Sequence, residues 1–132
     1  MILRRTQTTL AVAAAALAVA LVLPFRAAAD DGGDREVRAA RSCSSGSETT
    51  LRARTDDGTI RVELRIDPAR PGPWRVVFLH ERRIAYRGTL RPSSSSGSVR
   101  LRRTVRDLYG RDSLVIRSTG PRGESCRIAA EL

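Results

Sequence analysis

The chain contains no lysine: all 24 of its basic side chains are arginine, set against 14 acidic ones, for a formal charge of +10 over 132 residues. It has one histidine, His80, and two cysteines, Cys43 and Cys126. So small a stock of imidazole and thiol leaves almost nothing from which to build a metal centre or a nucleophile–base pair. No Gly-x-Ser-x-Gly elbow occurs, and His80 stands beside Glu81 and Arg82 without a positioned partner in the sequence. A very small hydrolase around His80 is therefore the weakest reading. Asp56, Asp57 and Asp67 lack the roughly 12-residue oxygen-rich spacing of a calcium loop and read as turn residues. No catalytic residue, metal ligand or cofactor is assigned. With 41% hydrophobic and 29% charged residues the chain is globular, and its length admits one domain.

The longest apolar run, Leu10 to Leu23, has 14 residues, short of the roughly 20 that a membrane-spanning helix needs. Arg4 and Arg5 precede it, and Pro24 and the small residues Ala27-Ala28-Ala29 follow it, ahead of Asp30. A positive start, a short apolar core and an Ala-x-Ala site predict a secretory signal peptide over 1–29, cleaved between Ala29 and Asp30. Thr6, Gln7, Thr8 and Thr9 after the arginine pair favour the general export route over the twin-arginine one. Cleavage removes Arg4, Arg5 and Arg26 and leaves 21 arginines against 14 acids, net +7 over 103 residues. The expected product is exported or envelope-associated, monomeric and without a stable membrane span.

Two cysteines in an oxidising compartment permit one pairing, Cys43–Cys126. A redox pair would show Cys-x-x-Cys spacing, so the bridge reads as a structural staple. Residues 30–40 are expected to form a flexible leader and 41–132 the folded domain. There the hydrophobic period is two. Leu51 and Ala53 alternate with Arg52 and Arg54, and Asp57-Gly58 marks a hairpin turn. Ile60, Val62, Leu64 and Ile66 alternate with Arg61, Glu63 and Arg65. Trp74 to His80 is apolar on both faces and reads as a central strand, with Trp74 in the core. Ile84 to Leu90 is expected to turn Ile84, Tyr86 and Leu90 to one face, with Gly88 a candidate bulge. Ser93-Ser94-Ser95-Ser96-Gly97 reads as a flexible connection, after which Val99, Leu101 and Val105 alternate with Arg100, Arg102 and Arg106. Arg103 falls on the apolar phase, which calls for either a bulge or an edge strand guarded by an inward charge. Further strands lie at Leu114–Ile116 and Glu124–Leu132. About six or seven short strands without helical periodicity predict one antiparallel immunoglobulin-like β-sandwich.

The order of these elements resembles that in a family of small secreted actinobacterial proteins. The likeness covers about residues 41–132 and rests on the early Cys43, the segment Leu51 to Glu63 with Asp57-Gly58, and Trp74-Arg75-Val76. It continues through Arg87-Gly88-Thr89 and Ser96-Gly97-Ser98 to Gly123-Glu124-Ser125-Cys126. It implies an exported, disulfide-closed β-sandwich and supplies no catalytic or binding residue. Antibody domains place their cysteines on facing inner strands and a Tyr two residues before the second one; here the cysteines are terminal and Tyr109 lies far from Cys126.

The arginines are the one feature of the sequence to which a functional reading attaches, beside a bland one. Arg61 and Arg65 share one strand face, and Arg100, Arg102 and Arg106 share another. Were the two strands in one sheet, the residues would form a basic stripe suited to polyanions such as wall polymers. The competing account is a solvated face written in the arginine-for-lysine vocabulary of a GC-rich genome. Nucleic acid ranks below a wall polymer, because the basic strands lack interleaved aromatics for base stacking. The alternative to an envelope-binding module is a secreted effector or inhibitor that contacts an extracellular protein through Ser93–Ser98 or Gly120–Gly123.

Overall fold

Alternation of apolar and polar side chains decides this architecture, because each strand can bury only every second residue. The computed structural model describes residues 34–132. The expected signal peptide, its cleavage point at Ala29–Asp30 and residues 30–33 of the leader lie outside the described residues. Eight strands are present among those described: β1 (Glu36–Ser42), β2 (Glu48–Asp56), β3 (Thr59–Asp67), β4 (Trp74–His80), β5 (Arg83–Leu90), β6 (Val99–Arg106), β7 (Ser113–Thr119) and β8 (Ser125–Glu131). They form two antiparallel four-stranded sheets, ordered β1-β2-β3-β6 and β5-β4-β7-β8. The chain crosses between sheets after β3, after β5 and again after β6, the Greek-key path of an immunoglobulin-like sandwich.

The inward rows of the two sheets make one core. Leu51, Ile60, Val62, Leu64 and Ile66 meet Trp74, Val76, Phe78, Leu114, Ile116 and Ile128 across it, all almost fully buried. β4 is central as expected, paired with β5 on one side and β7 on the other. The β2–β3 turn consists of Asp57 and Gly58 alone, both at positive φ, the primed turn whose twist matches the strands it joins. Glu81 and Arg82 make a second two-residue turn, also at positive φ. This costly backbone for side-chain-bearing residues is tied down at Glu81: its amide donates to the Ser113 carbonyl and its carboxylate accepts from the Ser113 amide.

Three expectations need correction. The sandwich begins before residue 41, because Glu36–Ala40, expected in the leader, form most of β1; Val37 and Ala39 half-bury against the core while pairing with Ala53 and Leu51 of β2. The bulge in β5 lies at Ala85 and not at Gly88. Phe78 pairs with Tyr86 but the next residue, Leu79, pairs with Ile84, so the extra residue turns Ile84 to the outer face, 53% exposed. Gly88 keeps regular register, and a Cβ there would strike the Tyr86 ring. The third concerns Ser93–Ser98, which folds back on itself through Ser93 N to Ser98 O (2.9 Å) and Gly97 N to Ser93 O (2.8 Å). The Ser98 hydroxyl also donates to Asp67 at 2.7 Å, so the segment is a closed turn and not a loose connection.

The open sides of the sandwich are closed by different chemistry. On one side Cys43, just past β1, is bonded to Cys126 of β8, with Cα atoms 4.6 Å apart. On the other, edge strands β5 and β6 meet, and Arg103 lies with its guanidinium 4.4 Å from the centroid of the Tyr86 ring. β6 runs without a register shift at Arg103, opposite Val62; of the two arrangements open in the sequence, the inward edge charge is the one adopted. The disulfide spans 83 residues, and the chain-entropy model gives a loop of that length about 4.5 kcal/mol. A Cys43→Ser/Cys126→Ser variant should lose about 3–5 kcal/mol in urea unfolding relative to the oxidised protein; an unchanged midpoint would refute the staple.

Candidate functional site

β3 and β6 are neighbours in one sheet, so the five arginines singled out in the sequence share its outer face. Arg65 stands directly opposite Arg100, Arg102 opposite Glu63, Arg61 opposite Thr104 and Arg106 opposite Thr59. The face extends further than the sequence reading reached. Arg38 of β1 faces Arg52 of β2, and Arg54 of β2 faces Arg61 of β3. The signal for Arg52 and Arg54 was present in their alternation with Leu51 and Ala53. Arg38 was missed because β1 was missed.

Each strand junction of this sheet therefore sets two arginines opposite each other, an arrangement that costs stability unless it is compensated. Carboxylates compensate most of it. Glu36 reaches Arg38 at 2.6 Å and Arg52 at 3.1 Å, and hydrogen bonds from Arg38 and then Arg52 hold its carboxyl below the usual range. Asp56 pairs with Arg61 at 2.9 Å, Asp34 with Arg54 at 3.5 Å and Asp67 with Arg65 at 2.9 Å. Burial alone would raise Asp67, but hydrogen bonds from Ser98 and Arg65 outweigh it and hold this carboxyl low. Glu63 sits between Arg52 and Arg102, 3.8 Å from Arg102 Nε. Arg100 and Arg106 make no ion pair among the described residues. Where Ala40 and Thr50 keep the surface low, a groove of about 510 Å³ opens between Arg38, Arg65, Arg100 and Arg102. Chemically the face is a basic trough with one central carboxylate, in which Arg100 makes no ion pair but lies within the field of Asp67.

His80 has a partner that the sequence concealed. Its Nε2 lies 2.7 Å from Oδ1 of Asp112, a fully buried carboxylate 32 residues away. Both Asp112 oxygens also accept from the Leu108 amide, at 3.2 Å each, and its backbone pairs with Leu132 in both directions. Burial pushes the Asp112 carboxyl up, but hydrogen bonds from His80, Asp107 and Leu108 prevail and hold it below the ordinary range. Asp107 moves the other way: its hydrogen bond to Asp112, then burial and the Asp112 charge, raise it. Although His80, Glu81 and Asp112 present ligand atoms within 4.8 Å of one another, Glu81 is engaged by Ser113 and Asp112 by His80 and Leu108. The depression beside His80, about 570 Å³, is lined by Arg83 and Arg106 as well as Ile84 and Leu108. The arrangement anchors the 107–112 corner and Leu132 to the end of β4.

Comparison with protein-family models, with curated proteins and with solved structures finds no match.

A raised carboxyl binds its proton more tightly folded than unfolded, so its charge works against folding as pH rises through its titration. Asp107→Asn retains a donor to Asp112 without that charge. It should be more stable than the parent at pH 7, and urea unfolding should show the difference vanishing below about pH 4, where the parent carboxyl is protonated in both states.

Proposed function

We propose that the chain is an exported, non-enzymatic binding module of the small actinobacterial kind, whose β1-β2-β3-β6 outer face holds an anionic polymer of the cell envelope. The observation that carries this reading is the opposition of Arg65 and Arg100 across β3 and β6 at the groove, where the nearby Asp67 is paired with Arg65 and Arg100 makes no ion pair among the described residues. Like charges placed opposite each other weaken a sheet, and an acidic ligand lying along the trough relieves the repulsion. A GC-rich genome explains why the cations are arginine and not lysine; it does not explain three opposed arginine pairs on one face. The absence of aromatic side chains from that face favours a polymer recognised through its charges over one recognised by base stacking. The signal-peptide pattern and the disulfide support an extracellular setting.

A second reading has one observation in its favour. Leu108 and Tyr109 are exposed on the corner that Asp112 pins, a rigid apolar tip of the kind protein partners use. A secreted effector or inhibitor acting through this corner would bind independently of the arginine face.

Binding of the oxidised protein to isolated actinobacterial cell envelope across a salt titration separates the two. Arg100→Ser/Arg102→Ser/Arg106→Ser should lower affinity more than about tenfold, at ~1 kcal/mol for each charge near an anionic surface. The parent's binding should weaken steeply as salt rises. Salt-insensitive binding, or binding that survives the triple substitution, would rule out the polymer reading.

A further inference from the structure

The outer face of the second sheet carries a different arrangement. Val77 of β4 is flanked across the ladder by Arg87 of β5 and Arg117 of β7, each about 4.8 Å away along the hydrogen-bonding direction. Arg75 lies two residues back on the same outward phase of β4, with Thr89 and Thr119 directly beside it. These side chains line a depression of about 630 Å³ in which there is no carboxylate. None of Arg75, Arg87 and Arg117 makes an ion pair among the described residues. Beyond Arg75 the surface dips again, for about 350 Å³, between Pro73, Gly120 and Pro121.

Every arginine pair of the first sheet has at least one acid beside it; the triangle around Val77 has none. Three guanidinium groups so placed repel one another, and the small apolar side chain at their centre leaves room above the sheet for a single anion. The planar guanidinium fork matches two oxygens of a tetrahedral phosphoryl group at once, and the threonine hydroxyls add neutral donors. A diffuse polymer needs no such convergence, whereas a compact dianion does. We propose that this depression binds a phosphate monoester, its phosphoryl group held among Arg75, Arg87 and Arg117 with Thr89 and Thr119 donating, and its organic part lying toward Pro73 and Pro121. The site is on the opposite sheet from the trough and does not depend on it.

Phenyl phosphate is the probe, titrated into the oxidised protein at constant ionic strength by calorimetry and amide NMR, with inorganic phosphate and phenyl sulfate alongside. The expected result is saturable one-to-one binding, with shifts confined to Arg75–Val77, Arg87–Thr89 and Arg117–Thr119. Phenyl phosphate should bind several-fold tighter than inorganic phosphate, and phenyl sulfate, with one charge fewer, more weakly than phenyl phosphate. Lowering pH from 7 to 5 should weaken phenyl phosphate, whose second pKa is about 6, and leave phenyl sulfate unchanged. Arg87→Ser or Arg117→Ser should each cost about tenfold, the loss of a charge-assisted hydrogen bond. Val77→Glu, which sets a carboxylate among the arginines, should abolish binding while thermal unfolding and the amide spectrum report an intact fold. Arg61→Ser on the other sheet should change nothing. Shifts that never saturate and spread over both sheets, equal affinity for phosphate and its phenyl ester, or full affinity in a folded Val77→Glu variant would each overturn the proposal.

Discussion

An arginine cannot be buried without a partner, and the described residues must place 21 of them. That constraint meets the period of the strand, and together they shape the molecule. Each strand gives every second position to the core, and β2, β3, β4, β7 and β8 fill those positions almost wholly with apolar or small residues. The remaining positions point to water on both outer surfaces, and there the arginines collect. A core of aliphatic residues around Trp74 and Phe78 is thus the condition for two basic surfaces.

A sandwich built this way is held by its middle and exposed at its sides. The two sides are served by bonds of very different cost. Between β1 and β8 a covalent bridge limits the unfolded chain and holds the strand that buries least, since β1 offers only Val37 and Ala39 to the core. Between β5 and β6 the closing contact is Arg103 over Tyr86, a contact that also puts a charge on the inward phase of an edge strand. Such a charge guards the edge against pairing with another chain. Gly88 belongs to the same device, because a side chain there would displace the Tyr86 ring.

What the sequence disclosed follows the range of the interactions concerned. β3 and β4 were legible to the residue or nearly so, because strict alternation and a turn of Asp57-Gly58 are local. The shared face of Arg61 and Arg65 followed from the same alternation, and the five-residue stripe from supposing that β3 and β6 lie in one sheet. β1 was not legible: Glu36-Val-Arg-Ala-Ala alternates weakly, and it becomes a strand only because β2 offers an edge and the disulfide holds its end. Ile84 was placed on the wrong face because one extra residue, Ala85, reverses the phase, and nothing in the composition of β5 announces it. The His80–Asp112 pair was hidden by distance along the chain. Arg75, Arg87 and Arg117 lie on three different strands, and only the order β5-β4-β7 brings them around Val77.

The acids carry more information about selection than the arginines do. Codon bias can fill a sequence with arginine in place of lysine, yet it has no means of setting Asp and Glu beside particular ones. On the first sheet Glu36, Asp56, Glu63 and Asp67 sit among the opposed arginines, so the stability of that sheet has been defended while its charge was kept. On the second sheet Arg117 faces Arg127 across β7 and β8, and the depression beside them holds no acid at all. The two sheets thus differ in their electrostatics: one carries a buffered, extended field, the other a concentrated charge with no acid beside it. Unrelieved charge is tolerable where two outward neighbours are as undemanding as Val77 and Thr119, and where the disulfide has already lowered the entropy of the unfolded chain. The bridge at one side of the sandwich thereby makes room for the electrostatic strain stored on its face.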